Sequence, residues 1–150
     1  MRKLIFSAAI IAASVVSVVN VTAKDVDALS VNASTAVSAP ATYSGQACDL
    51  IMAGHDVPGC YDVKFDIDDV TGDITGDLIA DPYVHDFHLE GNLSDGTCTG
   101  YIIIPEGTFF YLGNLYDVVF GSNGCVTFTC YAWIPDLETY SKFVFSGCKQ

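Results

Sequence analysis

Basic residues are scarce. The 150-residue chain carries six Lys and Arg against 18 Asp and Glu, a formal charge of −12. It lacks the cationic clusters that nucleic acid and anionic lipid reward, so neither is expected as a partner. Cations, basic proteins and neutral ligands remain, beside the plainer reading that the charge keeps an exported protein soluble. Enzyme motifs are missing as well: there is no Gly-x-Ser-x-Gly elbow, no His-Glu-x-x-His and no phosphate-binding glycine loop. Helical periodicity is weak beyond the first twenty or so residues, which argues against a helical domain.

What is present first is an export signal. Arg2 and Lys3 precede an apolar stretch from Leu4 to Val19, and Val21-Thr22-Ala23 offers small residues for cleavage. Sixteen residues are short for a bilayer core that takes ~20, so residues 1–23 are expected to be removed, leaving no membrane span. No cysteine follows the run to carry a lipid. Loss of Arg2 and Lys3 leaves four lysines against the 18 acidic residues, a charge near −14. The remaining 127 residues suit one domain. The expected location is secreted or periplasmic.

Six cysteines in a short exported chain imply three disulfides. From Cys60 onward, apolar and polar residues alternate in short runs broken by Gly, Asn, Asp and Pro, as in antiparallel strands with one buried face. Eight runs are predicted: 61–68, 73–80, 84–93, 98–104, 107–112, 115–120, 125–134 and 140–148. Short connections make them an antiparallel meander. An all-β, disulfide-stabilised up-and-down barrel is expected for residues 48–150, with a two-layer β-sandwich as the alternative. Residues 24–47, rich in Ala, Ser, Thr and Val, read as a flexible lead or one extra edge strand.

Turn chemistry sets the registers. A two-residue Asp95-Gly96 turn places Leu93 opposite Cys98 and Gly91 opposite Gly100, with Asp86, His88 and Glu90 on the outer face beside Tyr101 and Ile103. A four-residue loop between Ile134 and Thr139 places Phe128 opposite Phe145 and Cys125 opposite Cys148. Side chains on opposite faces of a sheet cannot bond, so parity predicts Cys125–Cys148, then Cys98–Cys130, leaving Cys48–Cys60. A Gly113-Asn114 turn makes the segment 107–120 a hairpin with two apolar faces. Either the lead of residues 24–47 covers one face, or the ribbon displays a ligand surface with Phe110, Tyr111 and Tyr116 as contact residues.

Two polar groups are candidates for chemistry. Asp66, Asp68, Asp69 and Asp73 crowd one hairpin end, where pairing Ile67 with Ile74 sets Asp68 against Asp73; a solvated loop or a calcium ion relieves that repulsion. Asp86, His88 and Glu90 share one strand face, as a solvated surface or a proton-transfer set. Asn32 and Asn92 head Asn-x-Ser sequons. The expected function is an exported, non-catalytic binding module for a neutral ligand such as carbohydrate, or for a basic protein. The alternatives are a small secreted hydrolase using Asp86, His88 or Glu90, and a subunit that self-associates through the apolar ribbon.

Overall fold

The computed structural model describes residues 39–150. They form nine strands: β1 (Ala41–Met52), β2 (His55–Val57), β3 (Tyr61–Ile67), β4 (Asp73–Leu78), β5 (Asp86–Asn92), β6 (Thr97–Ile104), β7 (Gly107–Phe120), β8 (Cys125–Ile134) and β9 (Thr139–Lys149). Neighbours pair antiparallel in sequence order from β3 to β9, and β1 pairs with both β3 and β9. The result is the expected all-β architecture, a closed eight-stranded antiparallel barrel. Closure gives the long strands partners on both sides and removes the sheet edges that invite aggregation. Strand β2 lies outside the ring, folded back on the end of β1 through Ala53 and Gly54, both at positive φ.

The count of eight holds with one member exchanged. Gly113-Asn114 is no turn; β7 runs straight through it for 14 residues, pairing with β6 over its first part and with β8 over its second. Gly113 is there for close approach, because a Cβ at this position would lie 2.7 Å from Cys98 Sγ and 2.6 Å from the Tyr131 carbonyl oxygen. The eighth strand is β1, so residues 41–47 of the expected lead belong to the barrel wall, paired with β3 throughout and with β9 from Tyr43 onward. They do not cover β7. Residues 1–38, including the expected signal, most of the lead and Asn32, lie outside the described residues.

Alternation along each strand turns one face inward, as the pleat requires. Phe65, Phe87, Phe128, Phe143 and Phe145 fill the interior and are almost wholly buried. Phe65 packs edge-on to Phe145 at 5.0 Å and near Phe128 at 5.7 Å, while Phe87 stacks on Tyr111 at 4.7 Å.

The β8–β9 hairpin has the register read from sequence, with Ile134 opposite Thr139, Phe128 opposite Phe145 and Cys125 opposite Cys148. The β5–β6 hairpin differs by two residues: Gly91 opposes Cys98, and Gly100 opposes Leu89. Its loop is wider than Asp-Gly because Asn92 Oδ1 accepts the backbone N–H groups of Ser94 at 2.8 Å and Asp95 at 3.1 Å. A shift of two keeps every side chain on its expected face. Asn92 Nδ2 also donates to the Thr71 carbonyl and to Asp73, so the sequon asparagine is already committed.

Two expected disulfides are formed, Cys48–Cys60 and Cys125–Cys148, consistent with an oxidising environment. Cys98 and Cys130 face inward as expected but stand as thiols with sulfurs 3.9 Å apart. Parity gave their facing, and the bond itself is not formed in this structure. Strand β7 stands between β6 and β8, and adjacent strands are ~4.8 Å apart.

Candidate functional site

Continuity of β7 through Gly113 decides which aromatic residues reach solvent. With no turn to reset the pleat, Phe110, Leu112 and Tyr116 all point outward, whereas Tyr111 points in. The expected ligand set is therefore divided. Phe110 is 69 % exposed and Tyr116 40 %, but Tyr111 is 1 % exposed and takes no part in contact. Its hydroxyl crosses over Gly100 and donates to the His88 carbonyl at 2.8 Å, where a Cβ on residue 100 would stand 2.7 Å from the hydroxyl oxygen. Burial pushes the Tyr111 phenol far up, beyond any working pH. It is a structural tie between β5, β6 and β7.

Registers across the wall align the outward side chains in two transverse rows. One runs Asp77, His88, Tyr101, Phe110 across β4 to β7. The next runs Glu90, Thr99, Leu112, Trp133, Tyr140 across β5 to β9. Leu112 is 70 % exposed and Trp133 43 %. Tyr131, one row further, stacks on Tyr140 at 5.1 Å. The outward positions of Leu112, Trp133 and Tyr140 follow from the same parity that turned Cys130 and Phe128 inward. The signal for them was in the sequence and pointed to a wider patch than the ribbon alone.

The acidic end of these rows is bound together by His88. Its Nδ1 lies 2.6 Å from Asp77 Oδ1 and its Nε2 3.2 Å from Glu90 Oε1, and its ring stacks on Tyr101 at 5.0 Å. Burial works against the charged ring, but hydrogen bonds and charge from Asp77 and Glu90 outweigh it and raise the His88 pKa above its ordinary 6.5. As imidazolium, His88 donates through both nitrogens. Asp86, beside it, is shifted up by burial and then by the Asp77 charge. Of the set expected from sequence, His88 and Glu90 are joined, with Asp77 as the second partner of the ring, whereas Asp86 Oδ1 is buried without a hydrogen-bond partner among the described residues.

The four aspartates of the hairpin end are spread among separate partners. The expected Ile67–Ile74 pairing is present. Asp68 Oδ1 accepts the N–H groups of Val70 at 2.8 Å and Thr71 at 3.0 Å. Asp73 accepts from Asn92 Nδ2 and Thr71 Oγ1, each at 2.8 Å, which holds its carboxyl below the usual range, the Asn92 bond foremost. Asp69 takes Lys149 Nζ at 2.9 Å, and Asp66 takes the Thr42 hydroxyl at 2.7 Å. Among the described residues no group of three or more His, Cys, Asp or Glu is arranged to hold a metal. No known family, curated protein or solved structure matches this chain.

Proposed function

We propose that the chain is an exported, non-catalytic binding module that docks a positively charged protein on the outer wall of β4–β9. The observation that carries this reading is the exposure of Phe110 and Leu112 on β7 and of Trp133, the register partner of Leu112, on β8, with Asp77 and Glu90 at the end of the same rows. Exposed apolar patches rimmed by charge are interface signatures, and Trp and Tyr anchor such contacts disproportionately. The carboxylates and the formal charge of −12 select a cationic partner and steer its approach. Carbohydrate, the neutral alternative, suits the flat rings of Trp133 and Tyr140 but has no use for an aliphatic side chain at the centre of the row. Leu112 therefore favours a protein.

The hydrolase alternative has less support, because His88 is engaged at both nitrogens. Calcium is not needed for docking, since each aspartate of the hairpin end has a donor of its own. Export fits the two disulfides and the apolar N-terminal stretch. A direct test measures binding of a lysine-rich polypeptide and of a glycan array by the folded protein. The expected result is salt-sensitive binding of the polypeptide, weakened about tenfold or more by Leu112→Ala or Trp133→Ala. Binding of glycans with no response to salt would replace this reading with the carbohydrate one.

A further inference from the structure

We propose that Cys98 and Cys130 are a reversible third cross-link, the last of the three disulfides to close and the first to be reduced, spanning β7 at Gly113. The two sulfurs face each other at 3.9 Å inside the barrel, against ~2.05 Å for a bonded pair. What brings them together is the missing side chain at Gly113, the Cα partner of Cys98 on the intervening strand. The Cys98 sulfur lies over that position, 2.7 Å from where a Cβ would be.

The three pairs differ in what closure demands. Cys125 and Cys148 are direct register partners with Cα atoms 3.8 Å apart, and the Cα atoms of Cys48 and Cys60 are 4.3 Å apart. Both bonds sit in the wall as it stands. Cys98 and Cys130 belong to β6 and β8, two strand spacings apart, so bonding them draws those strands together and bows β7 outward at Gly113. A bond that works against the wall is the more easily reduced one. The Cys98 contact and then burial also push the Cys130 thiol pKa up, which slows its attack while the barrel is closed.

The exchange partner is a small-molecule or protein disulfide. One cysteine thiol loses its proton and its sulfur attacks the reagent, releasing half of it as a thiol and leaving a mixed disulfide. The second cysteine, deprotonated in turn, displaces the other half. The cysteine pair gives up two electrons and two protons, and the reagent leaves as two thiols. The movement has a built-in reporter, because Trp133, the single tryptophan, follows Ala132, the register partner of Gly113.

The test equilibrates the folded protein in graded reduced and oxidised glutathione, with disulfide mapping by mass and Trp133 emission read together. The Cys98–Cys130 bond is expected to open at a less reducing poise than the other two, with an emission shift in step. In Gly113→Ala the added Cβ should keep this pair reduced where the parent is oxidised. Should that variant fail to fold, Cys98→Ala/Cys130→Ala should lose the emission step and keep the other two transitions in place. Persistence of both thiols at the most oxidising poise, opening together with or after the other two bonds, or an emission step that survives the double variant would each overturn the proposal.

Discussion

The two ends of the outer wall handle their side chains in opposite ways. At the β3–β4 hairpin end, every aspartate that sequence singles out has a donor: backbone amides for Asp68, Asn92 and Thr71 for Asp73, Lys149 for Asp69 and Thr42 for Asp66. Across β7 and β8, Phe110, Leu112 and Trp133 lie open, and nothing among the described residues covers them. A charged cluster with its own partners is finished locally, whereas an uncovered apolar row is stabilised only by something arriving on it. The proposed docking role therefore rests more on the continuity of the apolar face than on the charge density of the hairpin end.

Core and surface aromatics should separate this comparison most widely. Phe65→Ala is expected to cost about 3–5 kcal/mol in denaturant unfolding, because Phe65 is fully buried among three other rings. Asn92→Ala comes next, at about 2 kcal/mol, since it strips the loop amides and the Thr71 carbonyl of their partner. Leu112→Ala and Phe110→Ser should change stability by less than about 0.5 kcal/mol while weakening binding. A loss of stability comparable to Phe65→Ala would mean that the row is packed against something and is not free.

The smallest effect is a pH dependence. His88 has its folded pKa raised above 6.5, so the stabilisation from its bonds to Asp77 and Glu90 is fully present below that value. It is lost as pH rises from 6.5 through the raised folded value, because the folded state then binds more protons than the unfolded one. His88→Gln should flatten the fall in melting temperature over that window. An unchanged profile in the variant would show that the histidine is not held as an imidazolium.

Legibility of the sequence followed the reach of the interaction. The β8–β9 register was readable because Pro135 and a four-residue loop fix it locally, and Cys125–Cys148 came with it. The β5–β6 register was two residues out because the Asn92 side chain, not the Asp-Gly pair, organises the loop. Facing survived, since two residues restore the pleat, and so Asp86, His88 and Glu90 were placed outward correctly. Gly113 misled because a glycine serving close approach has the same letter as one serving a turn. That error split β7 and assigned Tyr111 to the surface. The role of β1 as the closing strand was hidden because its partners, β3 and β9, lie far apart in sequence from one another.

Acrylamide quenching of Trp133 in the folded full-length protein tests the central claim most directly, for this residue is the only tryptophan and stands beside Leu112 in the exposed row. Strong quenching and solvent-like emission in the free protein are expected, with protection appearing when a lysine-rich polypeptide is added at low salt. Blue-shifted, unquenched emission in the free monomer would contradict the account, since the apolar row would then already be covered.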